Sequence, residues 1–154
     1  VGVGVPNRVA LQPNTNNMLY TYIDTAAPAA RTTSDFGANY GPLDNTTFLG
    51  YTWSGASFAT ADGFYLAMNL SGSCDIFFSA TGAPSSYSSQ SAVCAAGTTL
   101  TQLTQADTTA LYGGTNGGSG PIVFRLDQST NQTFQETLPV SAASQVNSLL
   151  AVTN

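Results

Sequence analysis

Apolar residues recur along the chain with period two in short runs, and between the runs stand Gly, Pro, Asn, Asp and Ser. This pattern builds strands, not helices, because alternate residues of an extended chain face opposite sides. It predicts strands over Arg8 to Gln12, Met18 to Asp24, Thr47 to Trp53, Phe64 to Leu70, Ser73 to Ser79, Thr98 to Leu103, Pro121 to Asp127 and Gln132 to Leu138. Turn chemistry agrees at Asp62-Gly63, at Ser71-Gly72 and at Asp127-Gln-Ser-Thr-Asn131, which calls for antiparallel pairing through short connections. The fold class read from this is all-β: a single-domain antiparallel β-sandwich, jelly-roll or immunoglobulin-like, with an extended N-terminal strand.

Two stretches read as surface loops. Ala26 to Asn45 carries Pro28 and Pro42, and Gly113 to Gly120 places five glycines in eight residues. A helical turn is read around Thr104 to Tyr112 or Ala142 to Leu150. The chain has no internal repeat. Its organisation is read as an extended assembly strand over residues 1–11 followed by a sandwich domain over residues 12–154.

Charge is where the composition is unusual. Charged residues make up 7% of the chain, against roughly 25% in typical soluble domains. There is no histidine and no lysine, and the cations are Arg8, Arg31 and Arg125. Polar surface must come from 21 Thr, 16 Ser, 11 Asn and 8 Gln. Hydroxyls and amides cost less to desolvate than ions, so such a surface suits packing against copies of itself or carrying glycans. A net charge of −5 and a pI near 4.1 exclude nucleic acid and anionic membranes as partners, since both need a basic patch. No apolar run approaches the ~20 residues of a membrane-spanning helix. The start at Val1 is read as a mature N-terminus after signal removal, or as a fragment of a longer chain.

The same composition removes most catalytic chemistry. A nucleophilic serine needs a base, and without His or Lys neither a Ser-His-Asp triad nor a Ser-Lys dyad can be built. The glycine-rich stretch before Pro121 lacks the Gly-Lys-Ser/Thr ending of a phosphate-binding loop. Asp24-Thr25-Ala26 and Asp107-Thr108-Thr109 lack the glycine of the Asp-Thr/Ser-Gly motif of aspartic proteases, and Glu136 is the only glutamate to pair with an aspartate in glycoside hydrolysis. No catalytic residue, metal ligand or cofactor is therefore expected. Asp35, Asp44, Asp62 and Asp127 stand in turn-like contexts that could offer oxygen to calcium, although turn closure is the commoner use of such aspartates.

Cys74 and Cys94 enclose 19 residues that read as strand, loop and strand. A disulfide between them would staple the hairpin by about 3 kcal/mol in the chain-entropy model and place the protein outside the reducing cytosol. Asn-x-Ser/Thr sequons at Asn45, Asn69 and Asn131 are possible glycosylation sites, Asn45 and Asn131 reading as more accessible than Asn69.

The N-terminus, Val1-Gly-Val-Gly-Val5-Pro6-Asn7-Arg8-Val9-Ala10-Leu11, alternates apolar and small residues. Extended, it lines Val1, Val3 and Val5 along one face, and an end this apolar should be docked, either as an edge strand of its own domain or as a strand given to a neighbouring subunit. Val1, Val3, Val5, Val9 and Leu11 are the expected assembly residues. Aromatics at Tyr20 and Tyr22, and at Tyr51 and Trp53, suggest sugar-stacking platforms, but Leu49 on the face of Tyr51 and Trp53 favours burial for that group. The expectation is a non-enzymatic structural subunit of an extracellular, pilus-like filament or other cell-surface assembly, disulfide-stapled and glycosylated. It would polymerise by strand donation to copies of itself, since head-to-tail contacts propagate. A virion capsid or protruding attachment domain and a carbohydrate-binding module are the alternatives.

Overall fold

The structure, a computed structural model, describes residues 6–24, 27–70, 73–92, 99–105, 110–116, 122–127, 130 and 132–137. These residues hold eleven strands and no helix. Three antiparallel sheets follow one another along the chain, each a meander whose hydrogen-bonded neighbours are consecutive in sequence. The first contains β1 (Pro6–Leu11), β2 (Met18–Asp24) and β3 (Ala27–Thr33). The second contains β4 (Thr52–Thr60), β5 (Gly63–Leu70), β6 (Ser73–Ser79) and β7 (Ser88–Ala92). The third contains β8 (Thr99–Gln105), β9 (Ala110–Asn116), β10 (Ile122–Asp127) and β11 (Gln132–Thr137).

The first two sheets face one another as a β-sandwich. Ala10, Leu19 and Ala30 of the first meet Ala59, Phe64, Leu66, Met68 and Phe77 of the second in one core. Alternation along β5 puts Phe64, Leu66 and Met68 into this layer, and burying each is worth about 1.5–3 kcal/mol. Phe48 and Tyr87 close the end of the core from loops. The Phe48 ring stands edge-on to Phe77 at 5.5 Å and to Tyr87 at 5.2 Å. The opposite face of β5 and β6 is also covered, with Tyr65, Ala67 and Ile76 buried. From the third sheet, β8 approaches β4, β5 and β6.

Several expected elements fall elsewhere. Thr47 to Trp53 is not one strand: Thr47 to Gly50 turns, with Gly50 at φ +87°, and β4 begins at Thr52. The turn is set by Asp44, whose Oδ1 accepts the backbone N–H groups of Thr46 and Thr47 at 3.2 and 3.0 Å. Leu49 consequently projects outward at 66% exposure, while Phe48 takes the core position. The loop expected from Ala26 contains β3, where Pro28 pairs with Ile23. Proline is tolerated there because β3 lies at the sheet edge and has a neighbouring strand on one side only. Gly113 and Gly114 belong to β9, opposite Phe124 and Val123, so a ladder on both sides holds glycines that read locally as loop. The turn expected around Thr104 to Tyr112 is instead the end of β8 and the start of β9. Ala142 to Leu150 lies outside the described residues.

Candidate interaction face and adjoining cleft

The two faces of the first sheet differ in character. Alternation sends Ala10, Leu19 and Ala30 inward, leaving Val9, Leu11, Met18, Tyr20 and Arg31 on the outer face. Val9 is paired with Tyr20 and Leu11 with Met18, and Val9 and Leu11 are 48% and 50% exposed. Against the β1–β2 turn stands Phe36, whose N–H donates to the Asn16 carbonyl at 3.3 Å. Phe36 is 59% exposed and sits at φ +55°, a left-handed conformation that costs a bulky residue about 1–2 kcal/mol. Gly37 follows at φ +91°, and a Cβ there would stand 3.1 Å from Tyr20 Oη and 3.2 Å from Tyr40 Oη. Only glycine fits both demands.

Behind this turn an aromatic cluster holds the one cation of the face. The Arg31 guanidinium lies 4.1 Å from the Tyr40 ring centroid and 5.8 Å from that of Tyr22. Tyr40 in turn meets Tyr20 edge-on at 5.3 Å. Burial, helped by a hydrogen bond shared with Tyr40, pushes the Tyr20 phenol above its usual range. Burial likewise raises Tyr22, and the nearby Arg31 charge opposes it only in part. No carboxylate pairs with Arg31 among the described residues, and its Nε is buried without a partner.

Next to Tyr40 opens a cleft of about 440 Å³ between the end of β3 and the Ala80–Thr81 loop. Asn17, Thr33, Ser34, Asn39 and Tyr40 line it, and no charged residue does. Its polar groups are fixed from behind. Asn17 Nδ2 donates to Gln12 Oε1 at 2.8 Å, and Asn39 Nδ2 donates to Asp35 Oδ2 at 2.7 Å. Asp35 also accepts from Thr33 Oγ1 at 2.6 Å and from the Asn39 N–H at 2.9 Å. These bonds, Thr33 first, hold its carboxyl down at about 2.

The turn aspartates are engaged by donors of the chain itself. The Asp44 backbone bridges Ala30 in both directions at 2.8 and 2.9 Å, covering the outer edge of β3. Its buried carboxylate accepts from Thr46, Thr47 and, across 41 positions of sequence, the Ser85 N–H at 2.9 Å. Burial alone would raise this carboxyl; the hydrogen bonds from Thr47, Ser85 and Thr46 outweigh it and hold it below the usual range. Asp62 closes the β4–β5 turn, its N–H donating to Thr60 Oγ1 at 3.1 Å. No cluster of three metal-ligating side chains occurs among the described residues.

Of the expected site residues, some lie among the described residues and others outside them. Val9 and Leu11 share the outer face, but from Pro6 onward the assembly strand is already β1, hydrogen-bonded to β2 of its own chain. Val1, Val3 and Val5 lie outside the described residues, as do Cys94 and Asn131. Cys74 is paired with Asn69 in the β5–β6 ladder. Asn45 is exposed beside the Asp44 turn, whereas Asn69 lies within β5 with its Oδ1 buried and unpartnered. Tyr51 packs edge-on to the core Phe77 at 5.1 Å, and Trp53 holds a strand position opposite Met68. The cleft was not legible in the sequence: Asn17, Asn39 and Tyr40 stand in stretches that read as ordinary turn and loop. Comparison with protein-family models, with curated proteins and with solved structures found no match to this chain.

Proposed function

We propose that this chain is a non-enzymatic structural subunit of an extracellular filament or surface assembly, and that a second copy packs on the outer face of β1 and β2. The observation that carries the reading is Phe36, an exposed aromatic kept in a disfavoured backbone conformation on the loop after β3, in a layer whose β1 also exposes Leu11 and Val9. Strain of this kind persists where the exposed group has a use. The scarcity of charge in the chain supports a second copy as occupant, because apposed copies would bury hydroxyls, amides and apolar groups with few ions to desolvate.

The geometry refines how a strand would be given. The β1–β2 connection is tightly built: the Gln12 N–H donates to the Asn17 carbonyl at 2.9 Å, Thr15 Oγ1 to the Gln12 carbonyl at 3.0 Å, and Gln12 Nε2 to the Ala61 carbonyl at 3.0 Å. Opening it to exchange β1 would break these bonds together. Pro6, Arg8 and the register shift between them also interrupt the start of β1, a common guard against strand addition. The contact is thus led by the face, and the Val1-Gly-Val-Gly-Val5 sequence that precedes β1 is the segment proposed to add to it.

Light scattering and negative-stain microscopy test this on three proteins: the full chain, a chain lacking residues 1–5, and Leu11→Glu. Leu11 is half exposed, so the charge is tolerated by the fold. Higher-order particles are expected from the full chain and fewer from each variant. A full chain that stays monomeric at every concentration, or a Leu11→Glu protein that assembles unchanged, would sink the reading.

A further inference from the structure

We infer that the cleft beside Tyr40 is a binding site for a neutral sugar, a role separate from self-association and resting on different residues. Its volume of about 440 Å³ falls in the range of small-molecule sites and holds one or two hexose rings. The ligand class follows from what the walls offer. Asn17 and Asn39 each give one amide N–H to Gln12 and Asp35, and both side-chain carbonyl oxygens are left as acceptors with no partner among the described residues. The one bond on each amide orients it, so the acceptor is held in place before a ligand arrives. The exposed Ser34 hydroxyl adds a group that donates or accepts. Sugar hydroxyls are donors that match such acceptors, and the C–H face of a pyranose matches an aromatic ring.

Tyr40 supplies that ring. It lines the cleft and is 44% exposed, while Arg31 lies over it at 4.1 Å and Tyr20 braces it edge-on. The uncharged lining favours a neutral ligand over others of this size. A cation would share the Tyr40 ring with the Arg31 guanidinium, which repels it. An anion would be drawn by Arg31 but opposed by the Asp35 carboxylate, which stands behind Asn39, outside the cleft lining, and is ionised down to about pH 2. The chain's net charge of −5 acts in the same direction. A neutral polyhydroxylated molecule satisfies the acceptors without either penalty.

The test is saturation-transfer NMR and calorimetry on the full chain with lactose, cellobiose, mannobiose and chitobiose, and with sialyllactose as the charged contrast. At least one neutral disaccharide is expected to bind with a Kd near or below about 1 mM. Tyr40→Ala and Ala80→Trp should each weaken it at least about tenfold, the first by removing the stacking surface and the second by filling the cleft from an exposed position. Tyr40→Phe should bind within about twofold of the parent, since the ring is retained. Circular dichroism checks the fold of each variant, and Ser34→Trp replaces Ala80→Trp if that protein does not fold. No transfer to any neutral sugar at about ten times that Kd, binding that survives the filled cleft, or preference for sialyllactose alone would overturn the inference.

Discussion

Asp44 is the residue whose loss should be felt most widely, because it ties three pieces of chain together without a cation. Its backbone bridges Ala30, its carboxylate organises the Thr46–Thr47 turn, and its Oδ2 reaches the Ser85 N–H. Replacing Asp44 by Ala strands the N–H groups of Thr46, Thr47 and Ser85 and the Thr47 hydroxyl. Bonds to a charged acceptor contribute about 1.5–3 kcal/mol each, and removing the charge also relieves its desolvation. The net loss should be about 4 kcal/mol, lowering Tm by roughly 8–16 °C in a domain of this size. Asp44→Asn keeps one acceptor oxygen but turns an NH₂ group toward Thr47 or Ser85, and should cost about 2 kcal/mol. The pH dependence has a definite sign. A carboxyl held below its unfolded value stabilises fully above about pH 4, and that contribution is lost as pH falls through the folded value. Urea unfolding across pH 2–7 should therefore show the gap between the parent and Asp44→Asn narrowing below about pH 4. An Asp44→Ala protein within about 0.5 kcal/mol of the parent at pH 7 would refute the account.

Two further outcomes follow from backbone geometry. Gly63 lies at φ +155°, and a Cβ there would collide with the Ser79 carbonyl oxygen across the β5–β6 ladder, so Gly63→Ala should destabilise by about 2–4 kcal/mol in thermal unfolding; a loss under about 1 kcal/mol would mean that the hairpin adjusts freely. Phe36→Asn should do the opposite. Asn accepts the left-handed conformation more easily, so the variant should gain up to about 1 kcal/mol, or roughly 2–4 °C in Tm, while assembling less; a destabilised variant would show that Phe36 supports the fold and not a contact.

Strand-rich architecture was legible because β2, β5, β6 and β10 are short runs rich in apolar and aromatic residues, and their bounds match the sequence reading closely. The miss at β3 is local chemistry overruled by tertiary pairing. Ala27-Pro-Ala-Ala-Arg-Thr-Thr33 has no strand signal beyond its last residues, yet it pairs along the whole of β2 and its outer edge is covered by Gly41 and Asp44. Leu49 misled in the other direction. Period two counted it with Tyr51 and Trp53, but the Asp44 turn rotates the chain by one position and buries Phe48 instead. Of the proposed interaction face, Val9 and Leu11 were visible in the sequence. Phe36 and the cleft were not, because a positive φ and the meeting of Asn17 with Asn39 depend on how distant turns stack.

The scarcity of ions becomes intelligible once the turns are seen in detail. Where many proteins place ion pairs, this sandwich places hydroxyls and carboxylates that accept backbone N–H groups. Thr33 Oγ1 takes the N–H of Gly37 at 3.0 Å, Ser79 Oγ takes that of Gly82 at 2.7 Å, and Asp35 and Asp44 do the same on a larger scale. Bonds of this kind are local and dipolar, so salt screens them far less than exposed ion pairs. They also leave the outer surface without a strong field. A second copy approaching the Val9–Leu11 face therefore meets little long-range repulsion beyond the net charge of −5, and its affinity must come from shape and apolar contact at close range. Assembly driven in that way should strengthen, not weaken, as salt rises.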